Sequence, residues 1–318
     1  MLDAINNFQQ QFSYRPEIKN KEAFKDFDSI LCVGMGGSHL AADLLPILDI
    51  YNVKVWKNYD LPNFREKENP LILLSSYSGN TEEVLSAYEE AVKQKRNLFV
   101  ICTGGTLLEW AIRDNIAYIE LPSIGIQPRS ALGYSLIALL TVLGKNNFIE
   151  ELVEGARGFD SKNIISEARV LASKLENKIP LIYASEENTA LAYNWKIKFN
   201  ENSKIPAFCN TFPELNHNEM NGFARDVSTQ NLSNNMFCII LKSPSDHPRT
   251  QKRMDILNEL YKESGLACEI YDLQEKTLFE KIFSSLLLAD YVSVFLADYY
   301  GIDPESVPLV EGFKAKLA

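Results

Sequence analysis

The clearest pattern in the chain is an apolar tetrad, LILL at 71–74, then a turn dense in hydroxyls, SSYSGNT at 75–81, then an amphipathic stretch at 82–94. The tetrad reads as a buried strand. In the amphipathic stretch Val84, Leu85, Tyr88, Ala91 and Val92 fall toward one side, which predicts a helix with those residues inward. Further short apolar runs at 29–33, 54–59, 98–102 and 117–121 read as strands, with helical patterns between most of them. Residues 1–28 read as helical. The stretch 130–143 is apolar nearly all round and predicts a buried helix. Around 146–162 the composition turns polar and charged, which places a boundary there and predicts domains at 1–153 and 154–318. The second half repeats the logic, with helices at 164–175, 188–200, 249–264 and 278–300. Its strands are expected at 180–184, 205–208, 236–242 and 267–271, and a short basic helix ends the chain. Strands alternating with helices imply an α/β fold: right-handed crossovers and parallel sheets with helices on both faces.

Ligands in such sheets lie at the carboxyl ends of strands, where the strand order reverses. Two polar loops fall at such ends, 34–38 (GMGGS) and 75–81. Free backbone N–H groups at a helix start and the helix dipole make the second an anion site. Ser76, Ser78 and Thr81 can add hydroxyl donors. The loop has no Lys and no G-x-x-x-x-G-K-[ST] pattern, so one phosphate monoester suits it better than a nucleoside triphosphate. The alternative is a capped turn whose hydroxyls satisfy only their own backbone. GMGGS also resembles a dinucleotide fingerprint loosely, with His39 where the third glycine belongs, and Asp60 stands where a ribose-binding acid would. A nicotinamide enzyme therefore competes, against a plain tight turn; Ser38 beside the glycines suggests another hydroxyl contact.

Four further residues are candidates for chemistry. Arg129 precedes the apolar helix, where a cation opposes the dipole and needs a compensating anion unless it is simply exposed. Glu201 ends the helix at 188–200 and shares a face with Ala190, Asn194 and Ile197. A carboxylate held there among apolar neighbours suits a general base, although one terminal Glu is ordinarily a surface residue. His217, in a loop of polar and turn residues before a short helix, reads as a proton donor or a solvated turn residue. Lys314 reads locally as a solvated tail residue. His39 and His247 are less suggestive.

The bulk numbers narrow the class. At 318 residues, 46% hydrophobic and 23% charged, the chain is expected to be an ordinary globular protein of about two domains. A net charge of −10 argues against general nucleic-acid binding. Five scattered cysteines form no close pair, and no His/Glu pair has metal-ligand spacing, so no metal is expected. The start lacks a signal-peptide pattern, and no apolar run approaches about 20 residues, so a membrane span is not expected. A cytoplasmic setting fits these features.

Taken together, GMGGS at 34–38, SSYSGNTEE at 75–83, QPRSALGYS at 127–135, FNENSK at 199–204, ELNHNE at 214–219 and VEGFK at 310–314 resemble the sugar isomerase (SIS) domain superfamily. Within it they resemble the bifunctional phosphoglucose/phosphomannose isomerases, over about residues 25–316. The resemblance implies two flavodoxin-like SIS domains and interconversion of glucose 6-phosphate with fructose 6-phosphate, with mannose 6-phosphate usually accepted, and no cofactor. It implies that Gly37, Ser38, Ser76, Ser78 and Thr81 line the substrate site and that Arg129 stabilises an enediolate. Glu201 would then move the proton between carbons 1 and 2, with His217 and Lys314 as the ring-opening pair. It implies a homodimer in which His217 crosses to the neighbouring subunit. A non-catalytic sugar-phosphate sensor on the same domains is the alternative.

Overall fold

The computed structural model describes residues 1–64 and 68–317. The chain divides into two compact units, one of residues 6–157 and one of residues 158–318 joined by Met1–Ile5. The first segment forms helix α1 (Leu2–Asn6), then 3-10 turns at Phe8–Ser13 and Lys21–Ala23 rather than the continuous helical segment expected over 1–28. Phe8, Gln11 and Phe12 turn inward, but Pro16 interrupts the backbone ladder and Asn20 takes a left-handed conformation (φ 51°).

The unit of residues 6–157 is built on strands β1 (Ile30–Val33), β2 (Val53–Trp56), β3 (Leu71–Ser76), β4 (Leu98–Cys102) and β5 (Ala117–Glu120). They form one parallel sheet in the order β2-β1-β3-β4-β5, a flavodoxin-like order that reverses between β1 and β3. The central strands are buried on both faces, which is why they read as unbroken apolar runs. Short α2 (Leu40–Asp43) follows β1. It passes at once into a 3-10 turn (Leu45–Leu48), where Pro46 cannot donate to a longer helix. The remaining helices are α3 (Glu82–Lys93), α4 (Gly105–Arg113), α5 (Leu132–Val142) and α6 (Asn146–Gly158). In α3 the inward residues are Val84, Ala87, Tyr88 and Ala91, an i, i+3, i+4, i+7 line. Val92, expected inward, has slipped off it and is 42% exposed.

The other unit carries α7 (Lys162–Leu175), β6 (Ile179–Ser185), α8 (Thr189–Lys198), β7 (Phe208–Phe212), β8 (Met236–Lys242), α9 (Pro248–Glu263), β9 (Ala267–Asp272), α10 (Leu278–Tyr300) and α11 (Pro308–Leu317). Its parallel sheet runs β7-β6-β8-β9, reversing between β6 and β8. The strand expected at 205–208 lies downstream. Pro206 spoils the earlier run, and the edge position tolerates the polar Asn210 and Thr211 that pair with Tyr183 and Ala184. Contrary to the expectation drawn from the apolar runs, α10 is long and apolar enough to cross a bilayer. However, 83% of its apolar window is buried within the protein, and it packs on α7 and α8 as a core helix. Thr277 caps it reciprocally with Glu280, and Gly301 closes it in the left-handed conformation.

Candidate functional site

In the unit of residues 6–157 the loops after β1 and β3 flank the reversal point of the sheet. Ser75 and Ser76 belong to the strand itself and are buried, so the hydroxyl turn begins inside the sheet rather than after it. The Ser75 hydroxyl donates to the Ser38 carbonyl (2.7 Å), and the Tyr77 N–H donates to the Ser38 hydroxyl (2.9 Å), which ties the two loops together. Ser76 and Thr81 hydroxyls lie 2.8 Å apart, and the Gly79 N–H donates to the Ser76 hydroxyl (3.1 Å). Ser78 is at the exposed tip, its hydroxyl accepting from the Asn80 N–H (3.2 Å). Thr81 is the N-cap of α3, yet its side chain makes no cap bond, so this hydroxyl serves the loop rather than the helix. The loop is closed from behind by α4: a Cβ on Gly79 (φ 70°) would stand 1.8 Å from the Gly104 carbonyl oxygen.

Arg129 sits in a 3-10 turn, Pro128–Ser130, just ahead of α5 and is 2% exposed. This turn packs directly on Gly37. A guanidinium this deep, ahead of a helix start, requires acceptors or an anion around it. The structure thus brings Gly37, Ser38, Ser76, Thr81 and Arg129 to the carboxyl edge of one sheet.

Asp60 does not take the ribose-binding position. It lies beyond the end of β2 in a left-handed conformation (φ 53°), its carboxylate accepting from the Ser86 hydroxyl (2.7 Å) and its carbonyl from the Trp56 indole (3.0 Å). The residue pins its loop to α3.

In the second unit, Glu201 lies not on the end of an α-helix but in a π-turn, Phe199–Ser203, that continues α8 and widens it. Its side chain is half-buried, while Asn202 and Ser203 beside it are fully buried. His217 ends a 3-10 turn, Glu214–His217, and is exposed. Two residues on, Glu219 anchors this segment: its carboxylate accepts from the Tyr183 hydroxyl (2.5 Å) and from the Asn210 amide. Lys314 lies on α11, which buries none of its residues. Glu201, His217 and Lys314 therefore stand on three separate elements.

The reversal point of the second sheet is filled by the chain itself. Asp246, 4% exposed, accepts from the Asn188 amide (3.0 Å) and the Ser243 N–H (2.8 Å). Burial pushes its carboxyl above the ordinary value, against the opposing pull of hydrogen bonds from Ser185, Ser243 and Asn188. A side chain of the chain itself therefore bridges the ends of β6 and β8 at this reversal point.

Sequence reasoning passed over three buried polar features. His39 is 1% exposed, with Nδ1 2.7 Å from Asp43 Oδ2; the i, i+4 spacing was the available signal. Asp246 lay in a loop rich in Ser and Pro with no distinguishing pattern. Lys198 and Asp290, at 2.7 Å with 2% and 7% of their side chains exposed, form an ion pair between helices far apart in sequence, and no local signal reveals that. Among the described residues no cluster of three or more His, Cys, Asp or Glu is arranged to hold a metal ion.

Residues 164–317 match the family model of the bacterial phosphoglucose isomerase C-terminal SIS domain. The whole chain is 36% identical to a bifunctional phosphoglucose/phosphomannose isomerase of Caldicellulosiruptor bescii, covering 100% of this chain and 99% of that one. A protein of the same name from Thermoplasma volcanium is 32% identical, over 98% and 99%. Among solved structures, glucosamine-6-phosphate deaminase from Thermotoga maritima superimposes with a TM-score of 0.67 at 16% identity, covering 96% of this chain and 95% of that one, which shows a shared fold.

Proposed function

The chain belongs to the bifunctional phosphoglucose/phosphomannose isomerase family, and from that premise we propose that it interconverts glucose 6-phosphate and mannose 6-phosphate with fructose 6-phosphate through a cis-enediolate. The observation that carries this reading is the similarity over the full length of the chain to enzymes of that name. The tied loops of Ser38, Ser76, Ser78 and Thr81 hold the phosphate, with Gly37 at the edge of the substrate site, where it lets the Arg129 turn pack close. Arg129 faces the developing oxyanion, where a fixed cation in a water-poor setting is worth most. Glu201 takes the proton from carbon 2 of the aldose and returns it to carbon 1; a positioned base of this kind contributes about 10²–10⁴-fold. His217 and Lys314 open the sugar ring.

The protein acts as a homodimer, with His217 of the partner subunit completing each site; the exposure of His217 in the single chain supports this assignment. It works in the cytoplasm, in glycolysis and gluconeogenesis, a setting that agrees with five free cysteines.

The deciding experiment is Glu201→Gln assayed with excess chelator present. The expected result is a kcat lower by about 10²–10⁴-fold with KM little changed, and loss of exchange of the carbon-2 proton with solvent. Full exchange in that variant removes Glu201 as the base. A wild-type protein that binds hexose 6-phosphate without any exchange would instead be a sensor.

A further inference from the structure

The π-turn that carries Glu201 is fastened to α10 at both ends. On α8, ahead of it, the Trp195 indole donates to the Ser285 hydroxyl (2.8 Å) and the Lys198 ammonium pairs with Asp290 (2.7 Å). Inside the turn, the Asn202 amide donates to the Ser293 hydroxyl (2.9 Å) and the Ser203 hydroxyl donates to the Ser293 carbonyl (2.7 Å). Ser293 in turn donates to the Asp290 carbonyl (2.9 Å), so the two fastenings share one turn of α10. Asn202, Ser203 and Ser293 are each 0% exposed, and Lys198 is 2% exposed.

We propose that Ser293 and Asn202 are positioning residues for Glu201: their hydrogen bond, with the Lys198–Asp290 pair, holds the wide turn open and so sets the direction of the Glu201 carboxylate. The inference rests on the reading in which Glu201 moves the proton. Two physical arguments carry it. A π-turn is less favourable than the α-helix it interrupts and persists where surrounding contacts over-determine it; such turns concentrate at functional sites. Closing it to an α-helical winding would swing Glu201 around the helix axis. Second, α10 is otherwise an apolar core helix, and an apolar seam would hold α8 with less desolvation cost. Apolar seams tolerate sliding, whereas buried polar groups must meet their partners at one register, which is the best-attested use of such groups. The polar residues of α10 at 285, 290 and 293 face the segment 195–203 and give it that single register.

The test uses the full-length protein, with Ser293→Ala, Ser293→Thr and the double variant Asn202→Leu/Ser293→Ala, each assayed well below its own Tm. Glu201→Gln is run alongside. Ser293→Ala is expected to lower kcat about 10- to 100-fold with KM within about twofold, because misplacing a reacting group by about an ångström has effects of that size. Ser293→Thr keeps the hydroxyl and restores kcat. The double variant replaces both polar partners, so it regains thermal stability over Ser293→Ala, yet its kcat stays low. If kcat rises with Tm in the double variant, or Ser293→Ala keeps wild-type kcat, the positioning role is overturned while the base assignment stands. If Glu201→Gln is fully active, both fall together.

Discussion

Gly37 lies so close to Arg129 that a Cβ on it would stand 2.9 Å from the Arg129 backbone nitrogen and 2.8 Å from Pro128. The obstructing atoms are backbone and proline ring, which cannot swing aside as a flexible side chain would. Gly37→Ala must therefore move the turn that holds Arg129. The expected outcome is a stability loss of about 1–3 kcal/mol and a fall in kcat/KM of at least about tenfold. Gly158→Ala, where a Cβ meets nothing within 4 Å, is the control that leaves both unchanged. Thermal melting and steady-state kinetics on fructose 6-phosphate check it.

The hydroxyl pair Ser76–Thr81 separates binding from folding. Because Thr81 makes no cap bond, Thr81→Val removes only the link to Ser76, a stability change of about 1 kcal/mol or less. If these hydroxyls hold the phosphate, KM for hexose 6-phosphates rises about tenfold or more while kcat is retained, the pattern of lost uniform binding. Competition by inorganic phosphate should weaken in parallel.

Removing one member of the Lys198–Asp290 pair takes the opposite charge away from a group that stays buried. Asp290→Asn is expected to lower stability by about 3–5 kcal/mol. The paired replacement Lys198→Met/Asp290→Leu recovers most of this, because neither charge then remains to be desolvated. Urea titrations of the three variants decide it.

Acid stability has a local reporter at Asp114. The Arg113 guanidinium, and then the Tyr88 hydroxyl, hold its carboxyl below the usual range. A lowered folded-state pKa gives stability that is present above the unfolded-state value near 3.9 and is lost as pH falls through the folded-state value. Asp114→Asn is therefore expected to lower Tm slightly at pH 7, by the equivalent of at most about 1 kcal/mol given the exposure of the pair. The difference should shrink as pH falls below the unfolded-state value and vanish once the carboxyl is protonated in both states. Parallel melts across pH 2–7 test the sign.

Much of the fold was legible because its signals are local. β4 matches the expected run at 98–102, and α10 the expected helix at 278–300. Both have uniform apolar composition over a length that suits one element. The misreadings occur where local and tertiary preferences part. The hydrophobic run with Pro206 looked more like a strand than Cys209–Thr211, yet pairing with β6 selects the polar segment because it lies at an edge. Glu201, expected at the end of the helix at 188–200, lies beyond α8 in a π-turn; no periodicity announces such a turn, whose buried partner Ser293 stands on α10, more than eighty residues away.

The sequence by itself determined the α/β class, the parallel pairing, the hydroxyl turn at 75–81 and, through its motifs, the family. These depend on side-chain period and turn chemistry within a few residues. Only the tertiary structure decided that Arg129 is buried against Gly37, that Asp60 serves Ser86, that Asp246 fills the second reversal point and that α10 holds the turn of Glu201. Each of these is a partnership across large sequence separation. Burial turns such a pairing of polar groups into a requirement, because a polar group withdrawn from water must find its partner wherever the fold supplies one.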